Sequence, residues 1–462
     1  MKGAWRLAAR NLRRHRRRNG VTALAVAFGY AGLLVLFGYA GWEERALRAV
    51  AVYLQHRGHF SVYAPGGLKR AEARPSRFAL PVETQEKVVE ALRADPRVAE
   101  VGRYLLGSGI AGNGCKSFQM RAVGLEPELE RRLGLEAEVV TLFGPEEDRR
   151  EGQRLVAAPG EQDAPVLLAP ILAQSLEKRR IAVAPPEAVP ALAPTGGTPA
   201  APLDCAAPDI QGHLAADPFV QLGGRTVDGQ FGAVEARAVG VFHPASNEEN
   251  KTALQAPLEL LQRLYDTDRI TYVAAYLRDD RDIAAVERDL AARLRGAGLE
   301  VAMHRFDDPI ANPYLVGNMN FLRAMIAFIV VLVVTVVAFS VLNAMTIAAI
   351  ERTREMGTLR SLGFTHGELT GLFLREATLL TVLAVSGGAA LAQATRLVLG
   401  AAQVRFTPPG CGIDVAVQLM PSPTAWMGTA VFFVLLTVTA TWLAVRSIAR
   451  TNVSVLLAEV TA

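Results

Sequence analysis

The 462-residue chain is short of lysine and cysteine, and its first twenty positions carry no acid. Only six lysines occur (Lys2, Lys69, Lys87, Lys116, Lys178 and Lys251) and none follows a glycine. A P-loop needs a Gly-Lys pair to cradle phosphates, so the chain has no nucleotide-hydrolysing motor of that kind. HExxH and GxSxG are both missing: Ser108 stands in LGSGI, and Ser386 in AVSGG inside an apolar run. That removes zincin and hydrolase-elbow chemistry. Cys115, Cys205 and Cys411 form no CxxC pair, which argues against a zinc or dithiol redox site. His56 and His59 have HxxH spacing in HRGHFSVY, read as a solvated strand edge and not as a metal site. The acid pairs Asp279-Asp280 and Asp307-Asp308 fall in loops without catalytic context. Nothing argues for an enzyme within this chain.

Four stretches lack charge altogether. Hydrophobic residues make up 51% of the chain and are unevenly spread: Val21 to Gly41, Met325 to Ile350, Ala377 to Thr395 and Ala425 to Ala444 hold no Asp, Glu, Lys or Arg. A bilayer core of about 30 Å takes about 20 helical residues, so each run is long enough to cross it. The first run exceeds the apolar core of a cleavable signal, and Gly38-Tyr39-Ala40 makes a poor cleavage site. Tyr39 and Trp42 are read as interfacial anchors. The first twenty residues hold Lys2, Arg6, Arg10, Arg13, Arg14, Arg16, Arg17 and Arg18, which keeps the N-terminus in the cytoplasm by the positive-inside rule. Four spans return the C-terminus (445–462) to that side, beside Arg446 and Arg450. Residues 42–321 and 403–424 are then outside and 351–376 inside. Topology and contact with anionic lipid account for the basic start, and no nucleic-acid role is needed.

The outside portion reads as a mixed α and β domain. Pro81 to Asp95 has Val88, Val89 and Leu92 at helical spacing, with strands expected at Val98 to Leu106 and Phe118 to Val123. A second such unit is expected late: strand Ile270 to Leu277, helix Asp280 to Leu294, strand Leu299 to His304. Together they suggest one discontinuous subdomain, about 59–125 and 255–306. A strand-rich subdomain at about 126–254 is inserted in it, with strands at Pro165 to Leu168 and Ala233 to Phe242. Residues 181–209 are so rich in Pro and Ala that backbone donors are scarce, and a mobile loop is expected there. All three cysteines fall outside, where disulfides are permitted; Cys115 with Cys205 is the preferred pair, three free thiols the alternative.

Between the second and third spans lies ERTREMGTLRSLGFTHGELTGLFLRE, Glu351 to Glu376. Met356, Leu359, Leu362 and Gly363 fall at i, i+3, i+6 and i+7, along one side of a helix. Such a stripe either lies in the membrane interface or enters a groove on a cytoplasmic partner. Gly357 and Gly363 suit close backbone approach. Glu376, at the threshold of the third span, is read as marking the membrane interface, with a polar contact to a neighbouring helix as the alternative. Ser386, Gly387, Gly388, Ala389 and Ala390 are small residues that allow spans to approach or are ordinary membrane-helix composition.

This segment resembles the cytoplasmic loop of the MacB/FtsX/LolC-type permeases, the type VII ABC transporters. The likeness extends to the Arg-rich start ARNLRRHRRR, to GHFSVYAPG after the first span, and to the layout of one span, a large outside domain and three further spans. The resemblance implies a four-helix membrane protein with a large α+β periplasmic domain of the Porter/Sabre kind, in the bacterial inner membrane. It implies that Met356, Gly357, Leu359, Arg360, Leu362 and Gly363 form a coupling helix docking on a MacB- or LolD-like ATPase dimer, which binds ATP and Mg. It also implies a second permease subunit and movement passed to the periplasmic domain by stalks such as Glu43 to Gln55. Four spans, a large outside domain and no motor look most like the lipoprotein-releasing LolC/LolE subunits, whose partner is a periplasmic chaperone. The Pro-rich insertion departs from that pattern. Two functions stay open: extraction or export of an amphipathic cargo, or an FtsX-like relay that switches a periplasmic partner such as a cell-wall hydrolase.

Overall fold

A computed structural model describes residues 10, 16–71, 75–144, 150–152, 155, 164–178, 205, 212, 214, 216–244, 246–279, 281, 283–351, 358, 361, 363–406 and 415–449. In chain order the main elements begin with helix α1 (Arg16–Ala49), strand β1 (Phe60–Tyr63), α2 (Val82–Arg93), β2 (Val98–Gly112) and β3 (Ser117–Leu125). Then come α3 (Pro127–Gly134), α4 (Ala137–Phe143), β4 (Arg150–Gly152), β5 (Pro165–Leu168), β6 (Phe219–Arg225) and β7 (Phe231–Phe242). They are followed by β8 (Ala253–Pro257), α5 (Leu258–Tyr265), β9 (Tyr272–Leu277), α6 (Ile283–Gly296) and β10 (Ala302–Arg305). The chain continues as α7 (Pro313–Glu351), α8 (His366–Ala402), β11 (Arg405–Phe406), β12 (Val415–Ala416) and α9 (Pro423–Ala449). Two compact units result, one of residues 1–45, 318–404 and 417–462, the other of 46–317 and 405–416.

Among the described residues four helices are long and apolar enough to cross a membrane, and most of their length falls in the first unit. Its core joins Val26, Tyr30, Leu33 and Leu34 of α1 to Val337 and Val341 of α7, Ala384 and Ala392 of α8, and Phe433 and Ala440 of α9. The Tyr30 hydroxyl donates to the Trp426 carbonyl at 3.0 Å, and its ring meets Phe433 edge-on at 5.8 Å. A polar hydroxyl among apolar helices is thereby satisfied without water, as a membrane interior requires. Helix α7 keeps Phe328, Val331 and Phe339 turned outward and exposed. Helix α8 begins with a capping box: Glu368 N–H donates to Thr365 Oγ1, and Thr365 N–H donates back to Glu368 Oε2 at 2.9 Å. Trp42 departs from the sequence reading. It is fully buried inside the protein, 5.7 Å from Tyr39, and so does not face a membrane interface.

The second unit is built on one sheet with the order β10-β1-β9-β2-β3-β8-β5-β7-β4, with β6 pairing β2 and β7. β1 runs antiparallel to both β9 and β10. β2 is long enough to serve two neighbourhoods: Val98 to Tyr104 pair with β9, and Leu105 to Gly112 with β3. β3 then pairs in parallel with β8. Every residue of β1, β5 and β9 is buried, so apolar runs here replace the alternating pattern of a one-faced strand. Helix α2 buries Gln85, Val88 and Leu92, and α6 buries Val286, Leu290 and Leu294, each at i, i+3/i+4 and i+7/i+8. Burying a Leu or Val side chain contributes about 1.5–3 kcal/mol.

The β2–β3 turn is set by Asn113, whose side-chain oxygen accepts from Cys115 and Lys116 backbone N–H at 3.1 and 2.8 Å. Cys115 at this tip is disulfide-bonded to Cys205, with Cα atoms 5.7 Å apart. Lys178 is buried and donates from Nζ to the carbonyls of Leu214 (3.0 Å) and Asp217 (2.5 Å). Burial pushes its pKa down, partly offset by Asp217. The Pro/Ala-rich stretch 181–209 lies outside the described residues apart from Cys205, and Cys411 lies outside them too.

Asp95 closes the C-terminal end of α2. Its carboxylate is nearly inaccessible, accepts from Arg97 at 2.8 and 3.0 Å, and lies 3.5 Å from Arg293 of α6. The Arg97 hydrogen bonds hold it below the usual carboxylate range. A depressed folded pKa adds stability above the unfolded value of about 3.9, which is lost as pH falls through the folded value. Asp95→Asn should therefore lower the thermal midpoint at neutral pH and flatten its decline in acid. Melting curves from pH 7 to 3 check this, and an unchanged acid slope counts against it.

Candidate functional site

The chain passes from membrane helix to sheet within a few residues. After α1 the helix widens to a π-turn over Val50–Leu54, which Gln55 ends by donating its N–H to the Val50 carbonyl at 2.8 Å. His56 and Gly58 follow with φ of +57° and +63°, and β1 begins at Phe60. Left-handed backbone is uncommon for histidine and is kept only where surrounding contacts hold it.

Those contacts come from four elements of the domain. The His56 ring is 3% exposed and stacks on Tyr104 of β2 at 5.4 Å. Its Nδ1 lies 3.2 Å from Glu130 Oε2 of α3, and its Nε2 lies 3.2 Å from the Gln255 side-chain amide of β8. Its carbonyl accepts from the Tyr272 hydroxyl of β9 at 3.2 Å. Gly58 has no room for a side chain, since a Cβ there would sit 2.7 Å from the Ala275 carbonyl oxygen. His59 is buried as well, and its Nδ1 accepts from Leu277 N–H at 3.0 Å. The two histidines are thus packed into the sheet, not placed on a solvated strand edge.

Around the joint, Tyr104 and Tyr272 stack at 5.2 Å, Tyr53 and Tyr276 at 5.9 Å, and Tyr63 meets Tyr272 at 5.1 Å. The Tyr104 and Tyr276 hydroxyls share a hydrogen bond of 2.8 Å. Burial pushes the pKa values of Tyr104, Tyr272 and Tyr276 upward, so all three remain neutral donors. Arg57 donates to the Tyr63 hydroxyl at 2.8 Å. The segment leaving the domain is tied to the segment entering it, because Asn312 Nδ2 donates to Gln55 Oε1 at 3.2 Å. Sequence reasoning missed this fastening. Gly58 two residues after His56 was the local signal; Glu130, Gln255 and Asn312 are too distant in sequence to announce themselves.

The cytoplasmic stripe is placed only in part. Met356, Gly357, Leu359, Arg360 and Leu362 lie outside the described residues. Gly363 has φ +97°, so it turns the chain two residues before Thr365 and does not extend a helical face. Glu376 is buried inside the membrane unit, where an interface marker would be exposed. Gly388 brings α8 against α1: a Cβ there would lie 2.5 Å from the Ala27 carbonyl oxygen, whereas Ser386 and Gly387 are exposed. No group of three or more potential metal ligands occurs among the described residues.

Four candidate membrane helices with an α/β domain between the first two define a membrane protein with a large extramembrane domain. Residues 327–453 match the family of FtsX-like permease C-terminal domains. The solved periplasmic region of MacB from Actinobacillus actinomycetemcomitans is similar at 15% identity, over 56% of this chain and 92% of that one, with a TM-score of 0.33. The extracellular domain of the noncanonic ABC-type transporter YknZ from Gram-positive bacteria is similar at 12% identity, over 51% and 92%, with a TM-score of 0.28. The chain matches no curated protein sequence.

Two glycines separate backbone strain from crowding at the joint. Gly58→Ala meets both a left-handed φ and the β9 backbone, while Gly114→Ala, at φ +90° with open space around it, meets only the first. Left-handed backbone costs a non-glycine residue about 1–2 kcal/mol. Thermal unfolding of the full chain should show Gly58→Ala clearly the more destabilised; equal losses would mean that the Ala275 contact gives way freely.

Proposed function

We propose that the chain is the permease subunit of a MacB/FtsX/LolC-type ABC transporter. ATP hydrolysis on a partner ATPase, which carries the nucleotide and Mg, is converted into movement of the large domain. The cargo is a lipoprotein or another amphipathic molecule taken from the inner membrane. The match of residues 327–453 to FtsX-like permease domains carries this reading.

The span arrangement supports it. Residues 405–416, between the third and fourth apolar helices, belong to the same compact unit as 46–317, between the first and second. Those two segments share a side if each helix crosses the bilayer once. The basic residues before α1 favour a cytoplasmic N-terminus, which makes the large domain periplasmic. A second permease subunit would cover part of the outward apolar face of α7. A chaperone or adaptor would meet the periplasmic domain.

Within the reading, Met356, Gly357, Leu359, Arg360, Leu362 and Gly363 dock on the ATPase. The joint at His56 then receives the motion of α1 and delivers it to β1, which lies between β9 and β10. A helix of 34 residues is roughly 51 Å long at about 1.5 Å per residue, enough to cross the apolar core and continue as a stalk.

Replacing Leu359 and Leu362 together by Asp should abolish co-purification of the ATPase while membrane insertion is unchanged. Charges buried at a docking surface without partners weaken binding by several kcal/mol. Full-yield co-purification with the double variant would remove the docking role. Vesicles loaded with labelled lipoprotein separate cargo release from a relay: ATP-dependent release supports transport, and ATP-dependent activation of a hydrolase without release supports the relay.

A further inference from the structure

The joint has a cavity beside it. It holds about 490 Å³ within the large domain, which is in the range of small-molecule sites. One side is the joint itself at Gln55, His56 and Arg57; another is the segment from Glu248 to Gln255; a third is the chain from Ala311 to Tyr314. A ligand that fills it touches both the segment entering the domain, Gln55 to Arg57, and the segment leaving it, Ala311 to Tyr314.

The lining has two characters. Its permanent cations are Arg57 and Arg121, and its acids are Glu248, on the exposed rim, and Glu249, which is half-buried. Burial pushes the Glu249 carboxyl upward, and Arg121, His56 and Arg57 oppose that rise. Arg57, which is half-buried, and the exposed Arg121 therefore line the cavity beside one carboxyl, Glu249, whose ionisation burial disfavours. Gln255 is 6% exposed, and its side-chain oxygen has no hydrogen-bond partner. A buried acceptor of that kind is satisfied by a group that donates to it. The remaining wall is apolar, formed by Leu54, Leu106, Phe242 and Tyr314.

We propose that this cavity binds a small anionic amphiphile, its acidic head on Arg57 and Arg121 with a hydroxyl on Gln255, and its short apolar tail on Leu54, Phe242 and Tyr314. The head group is a phosphate monoester or a hydroxy acid, either of which supplies both a negative oxygen and a donor. This site is separate from ATPase docking and does not depend on it. Occupancy wedges Gln55 and Asn312, so the ligand sets how firmly the entering and leaving segments are held together.

Titration calorimetry on the full chain in nanodiscs tests the proposal, with hexyl phosphate as the probe and hexanol, hexyltrimethylammonium and inorganic phosphate as comparisons. Hexyl phosphate should bind at one site per chain and at least tenfold more tightly than any comparison. Arg121→Gln, at an exposed position, should weaken it about tenfold, and Tyr314→Asp, on the apolar wall, should weaken it similarly while melting curves show both variants folded. Absence of saturable hexyl phosphate binding overturns the site. Equal affinity for inorganic phosphate overturns the amphiphile, and unchanged affinity in both folded variants overturns the location.

Discussion

The structure depends on the insertion of β1 between β9 and β10. The four residues of β1, the first strand after the first membrane helix, are hydrogen-bonded on both edges by strands about 210 and about 240 residues further along the chain. A strand paired on both edges and covered on both faces cannot shift without breaking two ladders. That makes β1 a stiff member, unlike a surface loop. His56 and Gly58 are what this placement demands. The chain must turn from helix axis to strand direction within five residues, and two left-handed conformations achieve the turn.

The same constraint organises the surroundings of the joint. β9 carries Tyr272 and Tyr276 within its buried run, and β2 supplies Tyr104 opposite Tyr272. Their rings form the bed on which His56 stacks, and the Tyr272 hydroxyl secures the backbone of His56. Because these phenols are buried, each needs a partner, and the Tyr104–Tyr276 and Tyr272–His56 hydrogen bonds supply three of them. Polar satisfaction and geometric turn are therefore one arrangement.

Several elements were legible in the sequence because their pattern is local. The helix expected at Pro81 to Asp95 is found at Val82–Arg93, the strand expected at Pro165 to Leu168 has those bounds, and the four charge-free runs lie inside four long helices. The strand expected to end at Leu106 continues to Gly112, because β3 and β6 extend its pairing beyond the apolar signal that marked it. Partners were not legible. Nothing in FSVY says that it will lie beside AMHR, and an HxxH spacing gives no sign that Glu130 and Gln255 will enclose the first ring. Trp42 misled for the same reason: amphipathic rings suit membrane interfaces in general, but this one has protein on every side.

The disulfide between Cys115 and Cys205 closes a covalent ring of chain that includes β3, α3, α4 and β5. A protease that cuts once anywhere inside that ring leaves a single molecule of unchanged mass apart from the added water. Only a reductant then separates the two pieces, so clipping of this protein in an oxidising compartment would pass unseen on a gel run without thiol.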